Sequence, residues 1–415
     1  MERAELGRLL AGSLGGGGVA LPKVSGARRT VVEERDPARF MAAFAAAVLA
    51  GGEVLLADPS WGAAERADLA RLPEPMADAG KEGWILVPSG GTSGALKFAR
   101  HDEGTLAAAV RGFAGGYGVP RVNSVGVLPL THVSGLMAWM RAAMTGGVYL
   151  PWDWKQLEAG VPPSLPTGPW FLSLVPTQLQ RLLGSPETVA WLRGFRAILL
   201  GGGPVWPSLS AAAAAARLPI SLTYGTTETA AMATALAPAD FLAGARDSGA
   251  PLPHARVGVT GDGIIRISGE SVHRGYYPAL DARQGEREFV TGDLGRMVER
   301  GRLVVLGRRD AVIITGGKKV DPQEVEAALW ASGEFSDVAV IGVPDPVWGE
   351  AVVACYPATQ KAPDLRLAAA RSAGLAAFKR PRRFAAIASW PRNAQGKVNR
   401  AALLDAIRIE KPQAG

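Results

Sequence analysis

Cysteine is almost missing from these 415 residues: there is one, Cys355. No disulfide can form within the chain, and that usage suits a reducing, cytoplasmic setting. Cys355 sits in the apolar run AVVACY. A thiol there reads as a small buried hydrophobe rather than a nucleophile. Histidine is scarce too, with four copies, and their spacing matches no zinc site. Long apolar runs are also missing. FMAAFAAAVLAGGEVLL (40–56) is broken by Gly-Gly-Glu and reads as helix, turn and strand, not a membrane span. The N-terminal MERAELGRLL mixes charge with apolar residues and lacks the apolar stretch of a secretory signal. There is no internal repeat. Basic clusters occur at 28–29 and 379–383, but no nucleic-acid module accompanies them, which sets DNA and RNA aside.

What is present is a globular balance of 48% hydrophobic and 20% charged residues. The length points to two or three domains. The net charge of +7 suits anionic ligands such as phosphates or carboxylates. Strand-like runs at 84–87, 124–128, 170–175 and 197–200 alternate with helix-like segments at 104–114, 134–144, 177–183 and 209–217. That alternation predicts an α/β fold with a largely parallel sheet. From about Gly258 short strands joined by Gly- or charge-containing turns predict a small β-rich subdomain. Beyond Gly307 the pattern changes again. A helix is expected over 320–332, with Asp321 as cap and Pro322 at its first position. Strands are expected at 337–343 and 351–356. The expected division is an N-terminal domain over 1–306, a hinge at 307–311 and a C-terminal domain over 312–415.

Several stretches carry chemistry. LVPSGGTSGALKFARH (86–101) sets glycines and hydroxyls between a strand and Lys97. Converging backbone N–H groups, with Ser89, Thr92 and Ser93, can cradle an anion. The stretch reads equally as a plain turn, and it is not the Gly-Lys-Ser/Thr loop of nucleotide kinases. Gly201-Gly202-Gly203 follows the strand-like AILL and would let a flat ring approach, or simply turn the chain. LTYGTTET (222–229) ends a short strand with Tyr224, Gly225, Thr226, Thr227 and the lone carboxylate Glu228. Glu228 could hold Mg2+ through oxygen, or be a solvated turn residue. Asp293 in VTGDL can bond a ribose diol or close a turn. GRRD (307–310), the Gly316-Gly317 pair and NAQGKVNR (393–400) with Lys397 complete the set.

These motifs, in this order, resemble the adenylate-forming superfamily: acyl-CoA synthetases, adenylation domains of peptide synthetases, and luciferases. The resemblance spans about residues 45–405. It implies a large N-terminal domain of mostly parallel sheets flanked by helices, with a small β-rich subdomain. It also implies a small mobile α+β C-terminal domain. Ser89, Gly91, Thr92, Ser93, Gly94 and Lys97 would hold ATP phosphates. Gly201, Gly202, Gly203, Tyr224, Gly225 and Thr226 would line the nucleotide. Thr227 would contact the α-phosphate, Glu228 would hold Mg2+, and Asp293 and Arg308 would bind ribose. Asp310 would be the hinge, Gly317 would let the pantetheine of coenzyme A (CoA) pass, and Lys397 would serve adenylation. The implied reaction is ATP-dependent activation of a carboxylate and transfer of the acyl group to CoA.

Two features depart from the common pattern. Leu96 stands where most members carry proline, and the N-terminal region is short. They point to a compact subgroup, and the loop SGGTSGALKFARH (89–101) with LPLTHVSGLM (128–137) looks like o-succinylbenzoate–CoA ligases of menaquinone and phylloquinone synthesis, the compact cyanobacterial-type ones in particular. His132 would then lie at the acyl pocket, or be a core histidine. Arg141 could meet the substrate's second carboxylate, or lie on the surface. A fatty- or aryl-acid CoA synthetase shares every catalytic motif. A carrier-protein loader is a weaker fit, with no appended carrier domain evident. A homo-oligomer is compatible with all of these.

Overall fold

The computed structural model describes residues 1–14, 20–24, 28–75, 83–89, 96–278, 287–371, 374–392 and 398–409. The chain forms two compact units. The first comprises 1–203, 212–291 and 296–304, and the second 204–211, 292–295 and 305–415.

In the first unit, two sheets carry the architecture. One places β1 (Arg29–Val32), β2 (Glu53–Leu56) and β3 (Ile85–Ser89) parallel. β4 (Lys97–His101) returns antiparallel to β3, so Ser89 faces Lys97 across the pair. The other sheet runs β5 (Asn123–Gly126), β6 (Tyr149–Pro151), β7 (Trp170–Leu174), β8 (Ala197–Leu200) and β9 (Ile220–Thr226), all parallel. β10 (Ala231–Ala235) and β11 (Ala250–Pro251) extend it antiparallel. β12 (Ala255–Val259) and β13 (Ile264–Gly269) form a hairpin in a separate four-stranded sheet. β14 (Tyr276–Tyr277) leaves that neighbourhood and pairs with β4 in the first sheet, which sets Tyr276 opposite Ala99. β15 (Glu288–Val298) and β16 (Arg302–Arg308) complete the four-stranded sheet, with 292–295 and 305–308 assigned to the second unit.

Helices pack on these sheets because their apolar faces need cover. α1 (Arg3–Gly12) and α2 (Pro37–Ala50) are the first. α2 starts at Asp36, whose carboxylate caps Arg39 N–H, followed by Pro37 at the first helical position. It is apolar nearly all round, and so it is buried. Its Phe40 and Phe44 meet Trp84 and Trp139 in the core, and Phe44 lies edge-on to Trp139 at 5.7 Å. Each such side chain contributes roughly 1.5–3 kcal/mol by leaving water. α3 (Ala63–Ala70), α4 (Glu103–Tyr117) and α5 (Val133–Thr145) follow.

The second unit holds a five-stranded sheet. β17 (Ile313–Thr315) and β18 (Lys318–Val320) form a hairpin, and β19 (Ala339–Asp345), β20 (Gly349–Pro357) and β21 (Arg383–Ile387) complete it. The helix Pro322–Trp330 is capped by Asp321, which accepts from Gln323 N–H. It is shorter at both ends than the expected 320–332, because Val320 still pairs with Ile313 in the sheet. The strand expected at 337–343 is Ala339–Asp345. Cys355 is buried in β20, as its apolar setting implied.

Candidate functional site

In open α/β sheets ligands bind beyond the carboxyl ends of the parallel strands. Three of the stretches singled out by sequence lie there: Ser89 ends β3, Gly201 follows β8, and Tyr224, Gly225 and Thr226 end β9. Gly225 is required by packing. A Cβ there would lie 1.7 Å from the Ala231 carbonyl oxygen, across the β9–β10 pair. A short 3-10 turn, Thr227–Thr229, then swings Glu228 inward.

Glu228 is the centre of the site. Only 7% of it is exposed. The hydroxyl of Ser89 donates to its Oε1, and so does the hydroxyl of Tyr276, at 2.8 Å. Burial pushes the carboxyl's pKa up. Hydrogen bonds from Ser89, the backbone and Tyr276 outweigh that and hold it below the usual Glu range. The result is a buried carboxylate kept ionised. The Lys97 ammonium lies 4.1 Å above the Tyr276 ring.

A second layer fixes the turn. His101, fully buried, bonds the Thr227 carbonyl through Nε2 at 2.8 Å and Thr105 Oγ1 through Nδ1 at 3.0 Å. Burial, above all, lowers its pKa to about 4, so the imidazole is neutral and Nε2–H donates. The His273 N–H donates to the Glu228 carbonyl at 2.8 Å. Asp102, at the start of α4, is bonded by the Arg274 guanidinium at 2.7 Å. Tyr276, His101 and His273 were not singled out by sequence. Their only local signal was their residue type: His101 and Tyr276 at strand ends, and His273 in the loop before β14.

His132 does not lie in the core. It precedes α5 and its Nε2 is 2.8 Å from Asp58 Oδ2. Arg141 is not a surface residue: it is 3% exposed, its guanidinium lies 4.2 Å from the Phe113 ring, and its Nε has no hydrogen-bond partner among the described residues. Burial lowers its pKa to about 10. Leu96, the departure from the common pattern, is buried.

The second unit gathers three of the expected residues. Arg308 forms a bidentate pair with Asp310 at 2.9 and 2.8 Å, and its Nη1 is 3.5 Å from Asp293. Gly316 and Gly317 are the two turn residues of the β17–β18 hairpin, both with positive φ, 54° and 73°. Such a turn favours glycine on backbone grounds alone. Gly91, Thr92, Ser93, Gly94 and Lys397 lie outside the described residues.

Among the described residues, no cluster of three or more His, Cys, Asp or Glu could hold a metal by itself. A hard cation such as Mg2+ usually takes one or two carboxylates plus phosphates and water. An ionised, oxygen-only Glu228 fits that pattern.

Hydroxyls and one carboxylate held ionised thus meet at the carboxyl ends of parallel strands in an α/β fold. Comparison with known proteins narrows this. Residues 72–277 match the model of the AMP-binding enzyme family, and 324–397 the AMP-binding enzyme C-terminal domain. The chain is 34% identical over 346 residues to the probable 2-succinylbenzoate–CoA ligase of Mycobacterium tuberculosis (strain H37Rv), covering 79% of this chain and 86% of that one. It is 33% identical over 283 residues to the 2-succinylbenzoate–CoA ligase of Listeria monocytogenes serotype 4b. That match covers 66% of this chain and only 59% of the Listeria protein. The fold is shared with o-succinylbenzoate CoA synthetase (MenE) of Bacillus subtilis in complex with the acyl-adenylate OSB-AMP. There the TM-score is 0.76 at 23% identity, over 97% of this chain and 92% of that one. The same enzyme with ATP and magnesium ion gives a TM-score of 0.73. The chain belongs to the AMP-binding enzyme family.

Among the described residues, no helix is long and apolar enough to cross a membrane.

Proposed function

We propose that this chain is an ATP-dependent acid–thiol ligase that adenylates a carboxylate and passes the acyl group to CoA. The favoured acid is 2-succinylbenzoate. The observation that carries the reading is Glu228, a carboxylate held ionised in a buried site by Ser89 and Tyr276. The names of the Listeria and Mycobacterium relatives favour the substrate.

In the first step the acid's oxygen attacks the α-phosphorus of ATP and pyrophosphate leaves. Both reactants are anions, so the site must screen them. Mg2+, bound through Glu228, would supply positive charge to the phosphates. Ser89 and Tyr276 keep Glu228 deprotonated for that task, and His101 holds the Thr227 carbonyl so that the turn keeps its shape. Thr227 would meet the α-phosphate, with Gly201, Gly202, Gly203, Tyr224, Gly225 and Thr226 along the nucleotide. Gly91, Thr92, Ser93, Gly94 and Lys97 would contact the departing phosphates. Asp293 and Arg308 would bond the ribose, and Lys397 would stabilise the developing charge. His132 would lie at the acyl pocket. Arg141, a buried cation with no carboxylate partner among the described residues, suits the acid's second carboxylate, since unpaired charge is costly to bury.

Thioester formation needs a different face of the site. We assign 307–311 as the hinge, with Asp310 as its pivot, between an N-terminal domain over 1–306 and a C-terminal domain over 312–415. Gly317 would then line the thiol's path and Lys397 would withdraw.

The test is pyrophosphate release with ATP, Mg2+, CoA and each of 2-succinylbenzoate, long-chain fatty acids and benzoates. 2-Succinylbenzoate should give the highest kcat/KM. Silence with it and turnover with another acid would assign a different acyl-CoA synthetase. In the same assay Lys397→Ala should abolish adenylation yet convert supplied acyl-adenylate to thioester. Equal loss of both halves would refute the two-position mechanism.

A further inference from the structure

Among the described residues, the His132 ring has a single polar partner. It occupies the N-cap of α5 in extended backbone conformation, yet its side chain caps nothing. Its main chain is committed: the N–H donates to the Pro129 carbonyl at 3.1 Å, and the carbonyl accepts from Leu136 N–H at 2.9 Å. The ring's Nε2 lies 2.8 Å from Asp58 Oδ2. Among the described residues, nothing hydrogen-bonds Nδ1.

Asp58 is fixed from its other side. It lies just beyond β2, and its Oδ1 accepts from both the N–H and the hydroxyl of Ser60, at 2.8 and 2.6 Å. Its carbonyl accepts from Trp61 N–H at 3.0 Å. Burial would raise the carboxyl's pKa, but the bonds from His132 and Ser60 bring it down to about 2. Asp58 is therefore a carboxylate across the working pH range, able only to accept. Nε2, facing it, must carry the hydrogen.

We infer that Asp58 is a positioning residue for His132: it fixes the Nε2–H tautomer and leaves a lone pair on Nδ1. The consequence for catalysis rests on the ligase reading above. Of the reacting groups in that reaction, the carboxylate and the phosphates only accept hydrogen bonds. The thiol brings a hydrogen. An acceptor at the acyl pocket is therefore matched to the S–H that approaches the acyl-adenylate. A histidine held in the opposite tautomer would turn a donor toward it. The pair thus serves the thioester-forming half of the cycle more than adenylation.

Asp58→Asn is the informative variant. Ser60 donates twice to Oδ1, so the amide oxygen takes that place and the NH2 group faces Nε2. The imidazole must then carry its hydrogen on Nδ1. Long-range 1H–15N correlation can read this directly, because the chain has only four histidines. The expected result is Nε2–H for His132 in the wild type and Nδ1–H in Asp58→Asn. A wild-type His132 that is Nδ1–H, or doubly protonated at pH 7.5, overturns the inference.

With supplied acyl-adenylate and CoA, Asp58→Asn should slow thioester formation roughly 10- to 100-fold, the usual cost of losing a group that orients a functional histidine. Pyrophosphate release should change less than about threefold. The Asp58→Asn effect should vanish in a His132→Gln background, which a purely structural role for Asp58 would not produce. Loss confined to pyrophosphate release, or undiminished in that background, also overturns it. If the wild type releases pyrophosphate with no acid, the ligase reading fails, and the tautomer measurement still decides the Asp58–His132 assignment.

Discussion

Two acidic groups, one in each unit, are handled in opposite ways. Glu228 is buried, receives hydroxyls from Ser89 and Tyr276, and stands on a turn that His101 and His273 grip from behind. Asp310 is about half exposed and, among the described residues, pairs with Arg308, which also faces Asp293. An ion pair in water contributes little, about 0–1 kcal/mol, and can break and reform. A buried carboxylate cannot move without stranding its donors. The difference suits two duties. One group must be in place before the reaction begins, and the other stands where the proposed hinge has to turn.

The largest effect should come from Glu228→Gln. It preserves shape and both hydroxyl contacts but removes the charge. Pyrophosphate release should fall roughly 100- to 1,000-fold, as when one preorganised electrostatic group is removed, while the urea midpoint stays near that of the wild type. A loss below about fivefold would mean that the enforced ionisation serves the fold rather than the chemistry.

A smaller effect concerns pH. His101 has its pKa lowered from 6.5 to about 4, chiefly by burial, and His254 likewise. Between those values the unfolded chain binds protons that the folded chain refuses. Stability is therefore fully present above pH 6.5 and is lost as pH falls toward 4, by up to roughly 3 kcal/mol for one fully buried imidazole. Asp58 adds a further loss below the ordinary carboxylate range, toward its value of about 2. Urea midpoints from pH 7 to 4 should trace this slope, and His101→Gln should flatten part of it. An unchanged slope would show that His101 is not held neutral.

The smallest effect is expected of Asp310→Asn: under about 1 kcal/mol in urea unfolding. Its mark should instead be a change in the balance between the two half-reactions. A stability loss as large as that of a core substitution would erase the contrast between the two acids.

The motifs were legible because each is local. TYGTTE carries its own turn, hydroxyls and carboxylate, and the DPQE start of the helix at Pro322 carries its own cap. Tyr276 was not legible, since it reaches Glu228 only because β14 crosses from one sheet to pair with β4. Nor was Asp58, which lies 74 positions from His132. The Gly316-Gly317 pair shows how one signal can have two sources. It resembles a family glycine, and the two-residue hairpin favours glycine in any case.

By itself, then, the amino-acid sequence determined which reactive groups exist and in what order: the hydroxyl-rich loop, Glu228, Asp293, Arg308 and the lysine at 397. It also determined the alternation of periods that yields a largely parallel α/β body, because strand and helix patterns are properties of neighbouring residues. Tertiary structure alone decided the electrical state of those groups. Whether a carboxylate is solvated or enforced, whether a histidine is a donor or an acceptor, and whether an arginine is paired depend on burial and on partners far away in the chain. For Glu228, His132 and Arg141 those partners, or their absence, arise only when the sheets and helices pack.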